Sequence, residues 1–124
     1  MNKENTHSKG QKGENLACEY LESLGYSILA RNYVYCKKEI DIVAKDKNEV
    51  VFVEVKERAT EVFGKPYEAV NITKQRSIIM VADNYIRRYN IDLEARFDII
   101  SITMLSSSNH KIVHIKNAFS PLAM

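Results

Sequence analysis

The sequence predicts a mixed α/β domain, with one sheet flanked by helices. Three observations predict it. Residues Glu39 to Arg58 read E-I-D-I-V-A, a polar turn around Asp46 to Asn48, then V-V-F-V-E-V-K-E-R, the pattern of two β-strands joined as a hairpin. Two other stretches, around Leu16 to Leu24 and Ile78 to Tyr89, repeat apolar residues at helical spacing. The elements follow in the order helix, three strands, helix, two strands (αβββαββ). Without a regular strand–helix alternation, a single mixed sheet is the expected architecture.

The first helix starts near Gly13, where Leu16, Ala17, Tyr20, Leu21 and Leu24 form a stripe and Gly25 is placed to terminate it. Glu14 lies in the first turn, favoured there by the helix dipole. It also borders the apolar stripe, one turn before Ala17 and Cys18, so it leans toward the sheet. Tyr26 to Tyr33 alternates as a strand, and the hairpin follows. Residues 59–69 contain Gly64 and Pro66 and read as a loop. The second helix runs from about Thr73 to Arg88, capped by Asn71 or Thr73, and Lys74 borders its apolar stripe one turn before Ile78. Arg96 to Thr103 and Lys111 to Ile115 complete the strands, and Phe119 and Leu122 anchor the C-terminal tail.

The chain has 124 residues, 45% hydrophobic and 27% charged, which suits one globular domain. Residues 1–9 lack core-forming side chains and read as a disordered tail, leaving 10–124 as the single domain. A formal charge of +2 argues neither for nor against nucleic acid, so local arrangement must decide. With no apolar run of about 18 residues and no apolar segment at the N-terminus, neither a membrane span nor a signal peptide is expected. Cys18 and Cys36 make no metal-like spacing and no disulfide framework, and reduced thiols in a cytoplasmic protein are the simplest account.

Chemistry gathers on the hairpin. Strand alternation puts Glu54 and Lys56 on one face with Phe52, about 7 Å apart, and Val51, Val53 and Val55 on the other. On the preceding strand Glu39, Asp41 and Val43 share one face and Ile40, Ile42 and Ala44 the other. A lone Glu–Lys pair on a strand is ordinarily a solvated cross-strand contact worth a few tenths of a kcal/mol, roughly 0.2–1. The apolar company of Phe52 and Val43 instead describes a covered face, where charges are seldom found unless paired or holding a metal.

An acidic residue in a first helix, then D-x(12)-E-x-K across a hairpin, then a helix with basic residues at its start, resembles the PD-(D/E)XK nuclease superfamily. G-x-x-G-E-x-x-A at Gly10 to Ala17, R-N at Arg31 and Asn32, E-I-D-I-V at Glu39 to Val43 and V-F-V-E-V-K-x-R at Val51 to Arg58 are similar to the motifs of the YraN-like family. So are F-G-K-P-x-E-A-V at Phe63 to Val70, K-Q-R at Lys74 to Arg76, R-F-D at Arg96 to Asp98 and H-I-x-N-A-F at His114 to Phe119. One departure is Lys38, where the family usually has glycine before the E-I-D run, a change that bears on how the strand begins.

The resemblance implies a restriction-endonuclease-like fold close to that of Holliday-junction resolvases. It implies a metal-dependent nuclease acting on DNA, branched or single-stranded, with a non-catalytic nucleic-acid-binding module of the same fold as the alternative. By position it assigns Asp41 and Glu54 as metal ligands, Lys56 as the catalytic lysine and Glu14 as an accessory acid. The Val55 carbonyl, between Glu54 and Lys56, is placed to add a ligand, and oxygen donors of this kind suit Mg²⁺, with Mn²⁺ as a substitute. Lys37, Lys38, Arg58, Lys65, Lys74 and Arg76 are the candidates for a phosphate-binding rim, and the start of the second helix offers free N–H groups to phosphate. A homodimer is left open, and a pure protein-interaction domain finds no large apolar surface pattern to support it. His7, His110 and His114 have no partner at ligand spacing, and His114 is expected to pack or hydrogen-bond within the last strand.

Overall fold

The computed structural model describes residues 2–58 and 70–121, with side chains described from Gln11 onward. The expected loop at 59–69, with Lys65 in it, and Leu122 lie outside the described residues. The elements are α1 (Asn2–Ser23), β1 (Ser27–Tyr35), β2 (Lys38–Asp46), β3 (Glu49–Arg58), α2 (Ile72–Arg88), β4 (Glu94–Met104) and β5 (His110–Phe119). They form the αβββαββ order the sequence predicts, around one five-stranded sheet ordered β1-β2-β3-β4-β5. The sheet is mixed: β3 and β4 pair in parallel across the α2 crossover, and the other neighbours pair antiparallel.

Each helix covers one face. Ala17, Cys18 and Leu21 of α1 pack on Ile42, Ala44, Val51, Val53, Ile100 and Ile102. Ile78, Val81, Ala82 and Tyr85 of α2 pack on the opposite cluster, which includes Val43, Val50, Phe52, Phe97 and Ile99. Phe119 is anchored there as expected, stacked on Phe97 at 5.2 Å. The alternation of β3 is therefore as read from sequence, with Val51 and Val53 toward α1 and Phe52 toward α2. On β2 one residue departs: Ile40 was expected on the face of Ile42 and Ala44 but joins the α2-side cluster with Val43. The regular pleat is lost at Asp41, between them.

Helix α1 ends where Gly25 takes φ 94°, with Gly25 N–H donating to Glu22 O and Tyr26 N–H to Leu21 O, the paired bonds of a Schellman end. The helix begins at Asn2, so the tail expected at residues 1–9 falls where side chains are not described. Gly13 is buried against β3; a Cβ there would meet the Glu57 Cβ at 3.3 Å. This close approach of helix to strand brings Glu14 down to the sheet. Asn71 caps α2, its Oδ1 accepting from the Lys74 N–H at 2.9 Å.

The R-F-D run builds the largest ion network among the described residues. Arg96 donates to both oxygens of Asp98 at 3.0 Å, to Asp46 at 3.1 Å, to Glu49 at 2.9 Å and to the Tyr26 hydroxyl at 2.6 Å. His114 Nε2 is 2.7 Å from Asp98, the Asn117 N–H donates to the same carboxylate, and Tyr20 of α1 bonds His114 Nδ1 at 3.0 Å. His114 thus hydrogen-bonds from the last strand, as expected. Burial alone would raise the Asp98 pKa, but the bonds from His114, Arg96 and the Asn117 N–H hold it below the usual carboxylate value. The cluster ties the β2–β3 turn to α1, β4 and β5.

Candidate metal and nucleic-acid site

The site forms where β2 and β3 part. Their register runs from Asp46–Glu49 to Ile42–Val53 and stops. Just beyond it, the Val55 N–H donates to Asp41 Oδ2 at 2.8 Å, so a carboxylate takes up the N–H at the fork. Across β2, the β1 ladder pairs Arg31 with Ile42 and Tyr33 with Ile40, and Asn32 between them sits at φ 52°. From there Asn32 Nδ2 donates to Glu14 Oε2 at 2.9 Å and to Glu39 Oε2 at 2.8 Å, while Arg31 reaches Glu14 at 3.4 Å.

The result is a carboxylate cluster. Ligand oxygens of Glu14, Glu39 and Asp41 all lie within 4.8 Å of one another. Burial and then the charge of Glu54 push the Asp41 carboxyl up to about 8, with Glu14 and Glu39 adding to the rise and the Val55 N–H opposing it. Glu54, 5% exposed, lies on the α2 side of the fork, where Lys56 Nζ approaches its Oε2 at 3.4 Å and Lys74 Nζ at 3.7 Å. Asp41 and Glu14 thus meet with Glu39, while Glu54 stands with Lys56 and acts on Asp41 through its charge, outside the group of oxygens within 4.8 Å. Lys74 stands with Glu54 as well, through α2. The Lys38 departure has a local explanation: Cys36 and Lys37, at φ 53° and 64°, make the turn, so Lys38 simply begins β2.

The expected basic rim is drawn together only in part. Lys37 and Lys38 are exposed at the β1–β2 turn, Arg76 is exposed on α2 and Arg58 is half-buried at the end of β3. Lys65 is outside the described residues.

Comparison with known proteins follows the same pattern. The profile of Uncharacterised protein family UPF0102 matches residues 13–102, which hold Glu14, Asp41, Glu54 and Lys56. The chain belongs to this family. It is the YraN-like family that the motifs resemble. A UPF0102 protein of Geobacter sulfurreducens is 47% identical over 116 residues, 91% of each chain. One from Bacteroides thetaiotaomicron is 45% identical over 112 residues, 90% of this chain and 92% of its own. One from Clostridium botulinum is 44% identical over 113 residues, 89% and 92%. The sequence similarity thus runs over most of this chain and of each of these relatives.

Three residues of this UPF0102 site had no role assigned from sequence: Arg31, Asn32 and Glu39. Glu39 shares the face of Asp41, and that signal was present. Arg31 and Asn32 come into reach because the turn at Cys36–Lys37 sets the β1–β2 register, and no glycine or Asn-Gly pair marks that turn. No helix among the described residues is long and apolar enough to cross a membrane.

Proposed function

We propose that the protein is a metal-dependent nuclease that hydrolyses phosphodiester bonds in DNA. One observation carries the reading: half-buried Asp41 meets Glu14 and Glu39 within 4.8 Å and, with the charge of Glu54 added, its carboxyl is pushed up to about 8, a repulsive arrangement that a divalent cation relieves. The donors fit such a cation, because carboxylates and a backbone carbonyl are hard oxygen ligands that suit Mg²⁺ or Mn²⁺. Asp41, Glu54 and the Val55 carbonyl would hold it, with Glu14 as the accessory acid. When bound, the ion supplies charge neutralisation for the phosphate and acidifies water.

The chain's own groups do the rest. The Val55 N–H fixes the Asp41 carboxylate at the fork. Lys56, held at 3.4 Å from Glu54, orients the attacking water or neutralises phosphate charge. Lys74, in the first turn of α2, draws the phosphate backbone in. Hydrolysis of end-labelled DNA is expected to need Mg²⁺ or Mn²⁺ and to fall about 10²-fold or more in Lys56→Ala. Cleavage that persists in EDTA excludes the reading.

The alternative is a binding module that does not cut, and one observation favours it: Glu54 Oε2 is already shared by Lys56 and Lys74. The two readings agree on binding and part on cleavage. In metal-free titrations, Lys74→Ala and Arg76→Ala each lower the log–log salt slope by about one phosphate contact, near 0.9 for duplex or 0.7 for single strands. Glu54→Ala leaves binding intact or tighter, because it frees two lysines from a carboxylate. A slope unchanged in the Lys74→Ala, Arg76→Ala double variant removes α2 from the interface.

A further inference from the structure

The β1–β2 hairpin carries a feature the acidic site does not use. Its two-residue turn has Cys36 at φ 53° and Lys37 at φ 64°. Both central positions of such a turn favour Asn and Gly, and side-chain-bearing residues there sit in a costly region of backbone space. The chain accepts that strain and so sets a lysine at the tip. Beside it stand Val34, 56% exposed, and Tyr35, 38% exposed. Lys37 and Lys38 are exposed, and neither has an ion-pair partner among the described residues.

The tip is also held firmly. One step down the strand, Tyr33 hydrogen-bonds Asn84 of α2 and meets the Tyr85 ring edge-on at 5.0 Å. Tyr35 differs from the other exposed tyrosine in this region, Tyr89, which has Tyr85 at 4.7 Å and the Arg88 guanidinium over its ring at 5.3 Å. The Tyr35 ring touches no other aromatic ring among the described residues.

Register then sets the distance to the acidic cluster. Tyr35 pairs with Lys38 and alternates with Tyr33, so its ring lies on the α2 side, the side of Glu54 and Lys74, three residues up β2 from Asp41, roughly 10 Å, or about three stacked bases. An exposed aromatic beside Lys37 and Lys38, on a rigid hairpin, suits an unpaired base: the ring stacks on the base and the lysines meet the adjoining phosphates. Paired bases in a duplex offer no free face to it.

We propose that the Tyr35 tip is a stacking platform for an unpaired base about three nucleotides from the bond that is cut, so that the preferred substrate is single-stranded or carries unpaired nucleotides. The location of the cut rests on the nuclease reading; the stacking does not. The test is therefore made without metal. Fluorescence anisotropy compares a labelled single-stranded oligonucleotide with a blunt duplex of the same sequence, for wild type, Tyr35→Ala and Tyr35→Trp. Tyr35→Ala is expected to weaken single-strand binding about tenfold or more while leaving duplex binding unchanged, and Tyr35→Trp to retain it. Because Tyr35 is at an exposed turn, its variants are checked for an unchanged melting temperature, and Lys37→Ala is measured beside them. Lys37→Ala should lower the salt slope on the single strand. Equal losses on both substrates, or none, overturn the proposal. Sedimentation showing that Tyr35→Ala converts a dimer to a monomer with single-strand affinity intact also overturns it, by making the tip a contact between copies. Absence of cleavage by wild type bears on the nuclease reading and leaves the binding result standing.

Discussion

Arg96→Ala lowers the unfolding free energy by about 3–5 kcal/mol, the usual cost of removing one member of a buried ion pair. Arg96 contributes the guanidinium to which Asp98, fully buried, and Asp46, Glu49 and Tyr26 are bound. Its loss strands a carboxylate that, among the described residues, keeps His114 and the Asn117 N–H. The pH dependence has a definite sign. Asp98 is held below its ordinary value of 3.8 in the folded protein, so its contribution is present above that value and is lost as pH falls through the folded one. The difference between wild type and variant should therefore be largest near neutrality and shrink in acid. Urea titrations at several pH values measure it. A loss under about 1 kcal/mol would mean that the network is not what joins the β2–β3 turn to β5.

Asp41→Asn has the opposite sign. The metal-free protein gains stability, because the carboxyl raised to about 8 by burial and by Glu54 becomes a neutral amide that still accepts from Val55. A carboxyl whose folded pKa lies above its unfolded 3.8 makes stability fall as pH rises between the two values, with the penalty complete above about 8. The gain is thus absent near pH 4 and full at alkaline pH. Solvent reaching the partly exposed carboxyl screens it, and about 2 kcal/mol is expected, several degrees in melting temperature. Metal reverses the order. Mg²⁺ at a hundredfold excess over its dissociation constant stabilises wild type by about 2.7 kcal/mol and the variant far less. Melting curves for both proteins, with and without Mg²⁺, check all of this at once. A wild type indifferent to metal counts against the site.

Most of the fold was legible because its periodicities are strong. The period-2 runs of β2 and β3 and the stripe from Ile78 to Tyr85 gave elements close to those observed. Gly25 and Asn71 marked helix ends through chemistry that is local in sequence. Strand ends were less legible: β1 runs to Tyr35 and β5 to Phe119, since tertiary pairing, not propensity, extends them. The site followed the same division. Glu54 and Lys56 lie two residues apart on one strand, so alternation alone pairs them, whereas Asp41 is placed by the fork that sets it on the Val55 N–H. Arg31 and Asn32 depend on a left-handed turn at Cys36–Lys37 and a left-handed Asn32, which nothing in residue type announced, whereas Glu39 lies two residues before Asp41 on the same strand. The face of Ile40 was misread for a related reason, because a fork at Asp41 interrupts the pleat. The R-F-D run looked like a family marker, and its role is architectural.

The measurement that tests the central claim most directly is a cleavage assay. Single-stranded, duplex and junction DNA are each incubated with wild type or Glu54→Ala, with Mg²⁺, with Mn²⁺ or with chelator. Metal-free binding of both proteins is measured in parallel. The predicted result is metal-dependent hydrolysis by wild type, abolished in Glu54→Ala while binding is kept. Wild type that binds DNA in every condition and cuts none of it, or Glu54→Ala that cuts as well as wild type, would contradict a nuclease at the β2–β3 fork.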